Sequence, residues 1–247
     1  MEALVLQDVL NSKAYHKENS AVRFNNPAAY FQPFVDEMAK ITDNISVSVG
    51  SPIININEDG SQNTAYGEVL VEGKLPFIEG HEWTVMAMYN LKGQVPRFKV
   101  ATGAKVKACT NMCVWGAEDI VSVIMTDSLR PAYDAAIQYV QDVEYKKESY
   151  ERTIRELTEQ YLERAELNER LGTMLKLGTK DRDIGTSMIV AGARNLYDDK
   201  SRYTVDANGG TNAYNLFNAC TQYITDSVAL SQKPEKTLSL SQKLFSL

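Results

Sequence analysis

The stretch Ile45-Ser46-Val47-Ser48-Val49 decides the fold class, because apolar and polar residues alternate through it with a period of two. Successive side chains of an extended strand point to opposite faces, so the pattern marks a strand with one buried face. Ile53, Ile54 and Ile56 continue in the same style, and Asn57-Glu58-Asp59-Gly60 then reads as a turn with Gly60 supplying a positive φ. Further strands fit Tyr66 to Val71, Trp83 to Tyr89, Phe98 to Ala101 and Lys105 to Cys109, with Gly73, Pro76, Gly80, Gly93 and Pro96 marking turns between them. The expectation is a meander-like antiparallel sheet from Ile45 to Cys109.

Before this sheet, Pro27 opens a helix carrying Ala28, Phe31, Val35, Met38 and Ile41 at helical spacing and ending near Asp43-Asn44. After Pro131 the chain turns helical. Tyr133, Ile137 and Val140 begin an apolar face that Tyr150, Ile154, Leu157 and Tyr161 continue, while glutamates, lysines and arginines fill the other faces. One long exposed helix ending near Gly172 is expected, its seam suited to a partner helix or to the sheet of its own domain. A second helix fits Lys180 to Leu196, with Thr179 as N-cap and Ile184, Met188 and Ala191 facing inward. A third follows Gly209-Gly210, capped by Thr211 and burying Ala213, Leu216, Phe217, Cys220, Tyr223 and Ile224. The chain therefore reads as α+β: a twisted antiparallel sheet in the N-terminal half packed against three C-terminal helices, one long. Residues 1–26 are expected to be an arm, 27–230 a single α+β domain, and 231–247 a tail.

The 247 residues suffice for a sizeable core, and 26 Lys+Arg against 32 Asp+Glu leave a net charge of −6. Any nucleic-acid surface on so acidic a chain must be local. No run approaches the roughly 18 apolar residues of a membrane span, and Met1-Glu2-Ala3-Leu4-Val5-Leu6-Gln7-Asp8 lacks the basic start of a signal peptide. Three cysteines make no disulfide framework and favour a reducing compartment.

Catalytic and metal-binding motifs are sparse. Cys109 and Cys113 are four apart, but the two histidines, His16 and His81, complete no zinc pattern with them, so no metal and no cofactor is expected. There is no Gly-x-Ser-x-Gly elbow, and Ala101-Thr102-Gly103-Ala104-Lys105 is too short for a phosphate loop. His81, in Glu79-Gly80-His81-Glu82-Trp83, is a general base only if it sits in a cleft, where its acidic neighbours would raise its pKa. Otherwise it is an exposed loop histidine. Asp198-Asp199 and the pair Asp181 and Asp183 read as caps and solvated faces in preference to Mg²⁺ ligands.

The local anomaly is a basic island. Between Glu82 and Glu118 there is no acidic residue, yet Lys92, Arg97, Lys99, Lys105 and Lys107 all fall there. Residues two apart share a strand face, so Arg97 with Lys99, and Lys105 with Lys107, would form a basic stripe on two neighbouring strands. Tyr89, Phe98 and Trp115 would supply stacking surface. A cationic groove with aromatic platforms is what binding of single-stranded DNA requires, whereas lysines guarding a strand edge against aggregation would give the same pattern.

Two stretches resemble a family found mainly in phages, prophages and plasmids, the phage/plasmid-like domain of unknown function. Phe98-Lys99-Val100-Ala101 through Lys107-Ala108-Cys109-Thr110-Asn111 is similar to its strand and Cys-Thr-Asn turn. Thr211-Asn212-Ala213-Tyr214-Asn215-Leu216-Phe217-Asn218-Ala219-Cys220-Thr221-Gln222-Tyr223 resembles its closing helix. The likeness covers roughly residues 25 to 230 and departs where Met112-Cys113 stand in place of a Gly. It implies a mobile-element origin and action in the cytoplasm of a host bacterium, and it implies no reaction. Asn111, Asn218 and Thr221 read as structural hydrogen-bonding residues. The leading expectation is a non-enzymatic DNA-metabolism protein that binds or anneals single-stranded DNA as a homo-oligomer. Arg97, Lys99, Lys105 and Lys107 would contact phosphates, and Phe98 or Trp115 would stack on bases. The alternative is an interaction protein that binds and blocks a host defence protein.

Overall fold

The computed structural model describes residues 6, 7, 9, 27–50, 52–56, 62–90, 97–107, 111–114, 117–124, 130–180, 184–228 and 232–245. The architecture is α+β, with an antiparallel sheet in the N-terminal half and helices in the C-terminal half. The chain divides into two compact units. The first comprises Met1–Pro76, Trp83–Thr102 and Glu118–Val143; the second comprises Phe77–Glu82, Gly103–Ala117 and Glu144–Leu247. Of the arm, only Leu6, Gln7 and Val9 are described; they are helical, and Val9 is fully buried.

In the first unit, helix α1 (Pro27–Met38) precedes strands β1 (Ile45–Val49), β2 (Pro52–Ile56), β3 (Gln62–Tyr66), β4 (Glu68–Pro76), β5 (His81–Asn90), whose His81 and Glu82 belong to the second unit, and β6 (Arg97–Val106), which passes into the second unit at Gly103. β1 pairs antiparallel with β4, Val47 facing Val71, in the sheet order β1-β4-β5-β6. β2 and β3 form a separate antiparallel ribbon with Ile56 opposite Gln62; the expected turn at 57–60 lies outside the described residues. Gly73 is not a turn residue but sits in β4 opposite Ile45. It must be small because a Cβ there would meet Met38 Cε at 2.0 Å. The sequence reading missed β8 (Ile120–Ile124), which pairs with the first half of β6, Lys99 facing Ser122. Helix α2 (Arg130–Gln141) packs on α1 and β8. The core is aromatic: Phe31 lies 5.3 Å from Tyr89 and 5.6 Å from Phe98, and Phe98 lies 6.0 Å from Tyr133, in tilted and edge-on arrangements that suit ring quadrupoles.

In the second unit, the end of β6 pairs with β7 (Met112–Cys113), Lys105 facing Met112. The expected long helix is broken here. α3 (Val143–Glu159) stops, β9 (Tyr161–Leu162) pairs with β10 (Thr211–Asn212), and α4 (Arg164–Gly178) resumes. The amide of Ala213 donates to the carbonyl of Gln160, so tertiary pairing overrides the helix propensity of this stretch. Tyr150, Ile154 and Leu157 are buried as the periodicity requires, but Tyr161 is half exposed. Thr179 does not cap the next helix; its hydroxyl donates to Lys176 O at the end of α4, and α5 (Thr186–Leu196) starts after Gly185 at φ 67°. Asn212, not Thr211, caps α6 (Ala213–Ser227), accepting from the amide of Asn215. On α6, Ala213, Leu216, Phe217, Cys220 and Ile224 are buried as expected, whereas Tyr223 is only half-buried. The expected tail holds another helix, α7 (Lys233–Leu244), which packs on α6 and β7. Its Leu240 and Leu244 are buried, and its Ser241 hydroxyl donates to Val114 O. Among the described residues no helix is long and apolar enough to cross a membrane.

Candidate nucleic-acid interface

The cations expected on two adjacent strands lie in line on one. β6 runs unbroken from Arg97 to Val106, and Lys107 follows in the turn. Arg97 and Lys99 belong to the first unit, Lys105 and Lys107 to the second. Alternation predicted a solvated face, yet every residue from Phe98 to Ala104 is buried, because both faces of this part of β6 are covered. Arg97 is exposed, with Nη1 3.5 Å from Ser122 Oγ. Lys99 is only 9% exposed, so most of its stem lies inside the fold. Lys105 is half-buried and Lys107 exposed. Lys92 and Trp115 lie outside the described residues.

Of the expected stacking residues, the two that are described, Phe98 and Tyr89, lie in the core. Phe98 is fully buried between Phe31 and Tyr133. Tyr89 is 2% exposed, and its hydroxyl donates to Tyr66 O. Both are core residues, since apolar area at the centre of a sheet is worth more buried than held open for a ligand.

His81 is not an exposed loop residue. It opens β5 and is 8% exposed. Nδ1 lies 3.0 Å from the Glu79 carbonyl, which can only accept, so Nδ1 carries the proton and Nε2 accepts from the Tyr214 hydroxyl. Both ring nitrogens are thus engaged. The acidic neighbours were expected to raise its pKa, but burial holds the imidazole below its ordinary 6.5. The Glu79 carbonyl works against that shift, and Lys107 adds to it. Asn111 is fully buried: Nδ2 donates to Asn218 O at 3.0 Å, and Oδ1 accepts from the Thr225 hydroxyl at 2.8 Å. Asn218 Nδ2 donates to Tyr214 O, and the Thr221 hydroxyl donates to Asn218 O. Asn218 and Thr221 bond neighbouring helix backbone as expected, whereas Asn111, expected to bond locally in a turn, bonds to α6 more than a hundred residues away in sequence. Cys113 and Cys220 are buried free thiols, with burial pushing Cys220 up to about 12. Cys109, Asp181 and Asp183 lie outside the described residues, and the Asp198 carboxylate accepts from the Lys200 amide as a turn cap. Among the described residues no three of His, Cys, Asp and Glu are grouped to hold a metal.

A feature the sequence reading missed lies in the second unit. Asp206-Ala207-Asn208-Gly209-Gly210 folds back on itself, the Asp206 carboxylate accepting from the amides of Asn208 and Gly210 at 2.8 and 3.0 Å. It also accepts the Tyr161 hydroxyl at 2.6 Å. That bond lowers the carboxyl pKa of Asp206 and raises the phenol of Tyr161. Gly210 has no room for a side chain, because a Cβ would lie 2.1 Å from the Tyr161 hydroxyl. The Asn-Gly-Gly run signals a turn, but nothing local shows that Tyr161 leaves its helix to meet it. Tyr161, Glu163, Arg164, Ala165, Asn168 and Asn208 line a hollow of about 580 Å³. No family model, curated protein or solved structure matches the chain.

Proposed function

We propose that this chain is a non-enzymatic DNA-metabolism protein of a phage or plasmid, binding or annealing single-stranded DNA as a homo-oligomer in its bacterial host. The observation that carries this reading is the acid-free run between Glu82 and Glu118 in a chain of net charge −6, with Arg97 and Lys107 both exposed. Cations concentrated in one segment of an acidic protein favour phosphate contact there and repulsion elsewhere. Arg97, Lys105 and Lys107 are the phosphate-contacting residues of this reading. Lys99 contributes charge from a buried position, and Phe98 supports the strand from the core. The test is the salt dependence of oligo-dT binding by a Lys105→Ala/Lys107→Ala double variant. Loss of two phosphate contacts should flatten the slope of log K against log salt by about 1.4. An unchanged slope would remove these two lysines from the interface.

The second reading, a protein that binds and blocks a host defence protein, is favoured by exposed aromatics. Tyr145 is 77%, Tyr161 50% and Tyr197 48% exposed, and tyrosine is a preferred anchor of protein interfaces. Such a protein would co-purify with one host protein in defined stoichiometry and ignore DNA.

A further inference from the structure

Phe98 and Tyr89, two of the aromatics expected to stack, are buried, and among the described residues the second unit offers an exposed ring elsewhere. We propose that the hollow beside Tyr161 is a nucleobase-stacking site for single-stranded DNA. The proposal rests on the reading given under Proposed function and adds to it the residues that meet the bases.

Tyr161 is held as a platform. Its backbone is fixed by the β9–β10 pairing with Asn212, and its hydroxyl is fixed by Asp206. Gly210 lets the ring tip approach the loop to a distance that any side chain would forbid. Half of the residue nonetheless remains open to solvent, and it lines hollows of about 580 and 400 Å³. An aromatic ring ordered in advance loses little entropy when a base stacks on it.

The rest of the larger hollow suits a nucleotide. Arg164 is exposed and lines the same hollow, where its guanidinium can meet a phosphate or stack. Asn168 accepts the Tyr197 hydroxyl through Oδ1 at 3.3 Å, which turns its amide nitrogen into the group left to donate. Asn208 brings a second carboxamide from the loop. Carboxamides pair with base edges, and an aromatic face accepts any base, so recognition would be tolerant of sequence. Glu163 also lines the hollow and would oppose phosphate at its own edge. The strand backbone is therefore expected to pass on the Arg164 side.

The experiment compares the full-length protein with Tyr161→Ala, Tyr161→Phe and Arg164→Gln, using fluorescence anisotropy of labelled oligo-dT. An abasic oligomer of equal length and charge is the control. Circular dichroism and melting confirm that each variant folds. Tyr161→Ala should weaken dT binding by roughly five-fold or more and leave abasic binding unchanged. Tyr161→Phe keeps the ring but loses its hydroxyl anchor on Asp206, so it should weaken dT binding less than Tyr161→Ala does and leave abasic binding unchanged. Arg164→Gln should weaken both oligomers. If Tyr161→Ala fails to fold, the preference of the parent for dT over the abasic strand decides, and its absence overturns the stacking site. Equal binding of dT and abasic strands by the parent, or an unaltered Kd in folded Tyr161→Ala, overturns the stacking site and leaves the phosphate-contact reading standing. Absence of any dT binding by the parent at low salt overturns both.

Discussion

Asn111→Ala measures how much the buried amide network holds the second unit together. The carboxamide is inaccessible to solvent and makes two bonds, to Asn218 O at 3.0 Å and from Thr225 Oγ1 at 2.8 Å. Each is worth about 1 kcal/mol net. The partners lose unequally. Asn218 O keeps the Thr221 hydroxyl at 3.1 Å, whereas Thr225 is half-buried and can turn to water. Adding the space left by the removed amide, the total comes to about 2–3 kcal/mol. For a chain of this size that lowers Tm by roughly 4–12 °C. Differential scanning calorimetry reads this directly. Asn111→Asp should be worse than Ala at neutral pH, because its carboxylate cannot donate to Asn218 O and would be a buried charge. An Asn111→Ala protein melting within about a degree of the parent would refute the reasoning and open Asn111 to a ligand role.

Two further outcomes follow from the packing. Gly192→Ala places a Cβ 2.3 Å from Cys220 Sγ, so it should destabilise the contact of α5 with α6 by roughly 1–3 kcal/mol despite the better helix propensity of alanine; a higher melting temperature would contradict that closeness. Because the folded pKa of His81 is depressed, the unfolded chain takes up its proton more readily. Stability from this site is therefore full above about pH 6.5 and is lost as pH falls from there toward the folded value. Melting curves between about pH 7.5 and 5 should show a smaller acid-side loss for His81→Gln than for the parent, and parallel curves would contradict the assignment.

The apolar spacing of Phe31 and Met38, and of Leu216, Phe217 and Cys220, was legible because each residue's burial follows from its own element; at Ile45–Val49 the alternation showed the strand but not its burial, since Ser46 is the buried residue and Ile45, Val47 and Val49 are half-buried. The break at Gln160-Tyr161 was not legible. Its neighbours are good helix formers, and the force that breaks the helix comes from Asn212 and Asp206, some fifty residues away in sequence. The same limit hid the burial of Lys99 and Phe98: alternation predicts two unlike faces, whereas this part of β6 is covered on both. α7 was missed because Ser239 and Ser241 interrupt its apolar pattern, yet Ser241 is buried by bonding to Val114 O. The basic island was visible as charge; its placement along one strand was not.

The most direct test of the central claim is fluorescence anisotropy of labelled oligo-dT with the purified full-length protein over a salt series, with duplex DNA of equal length alongside. The expected result is binding to the single strand that weakens steeply as salt rises and exceeds binding to the duplex. No binding to oligo-dT at low salt would contradict the claim and favour a search for the host protein that the exposed tyrosines would contact.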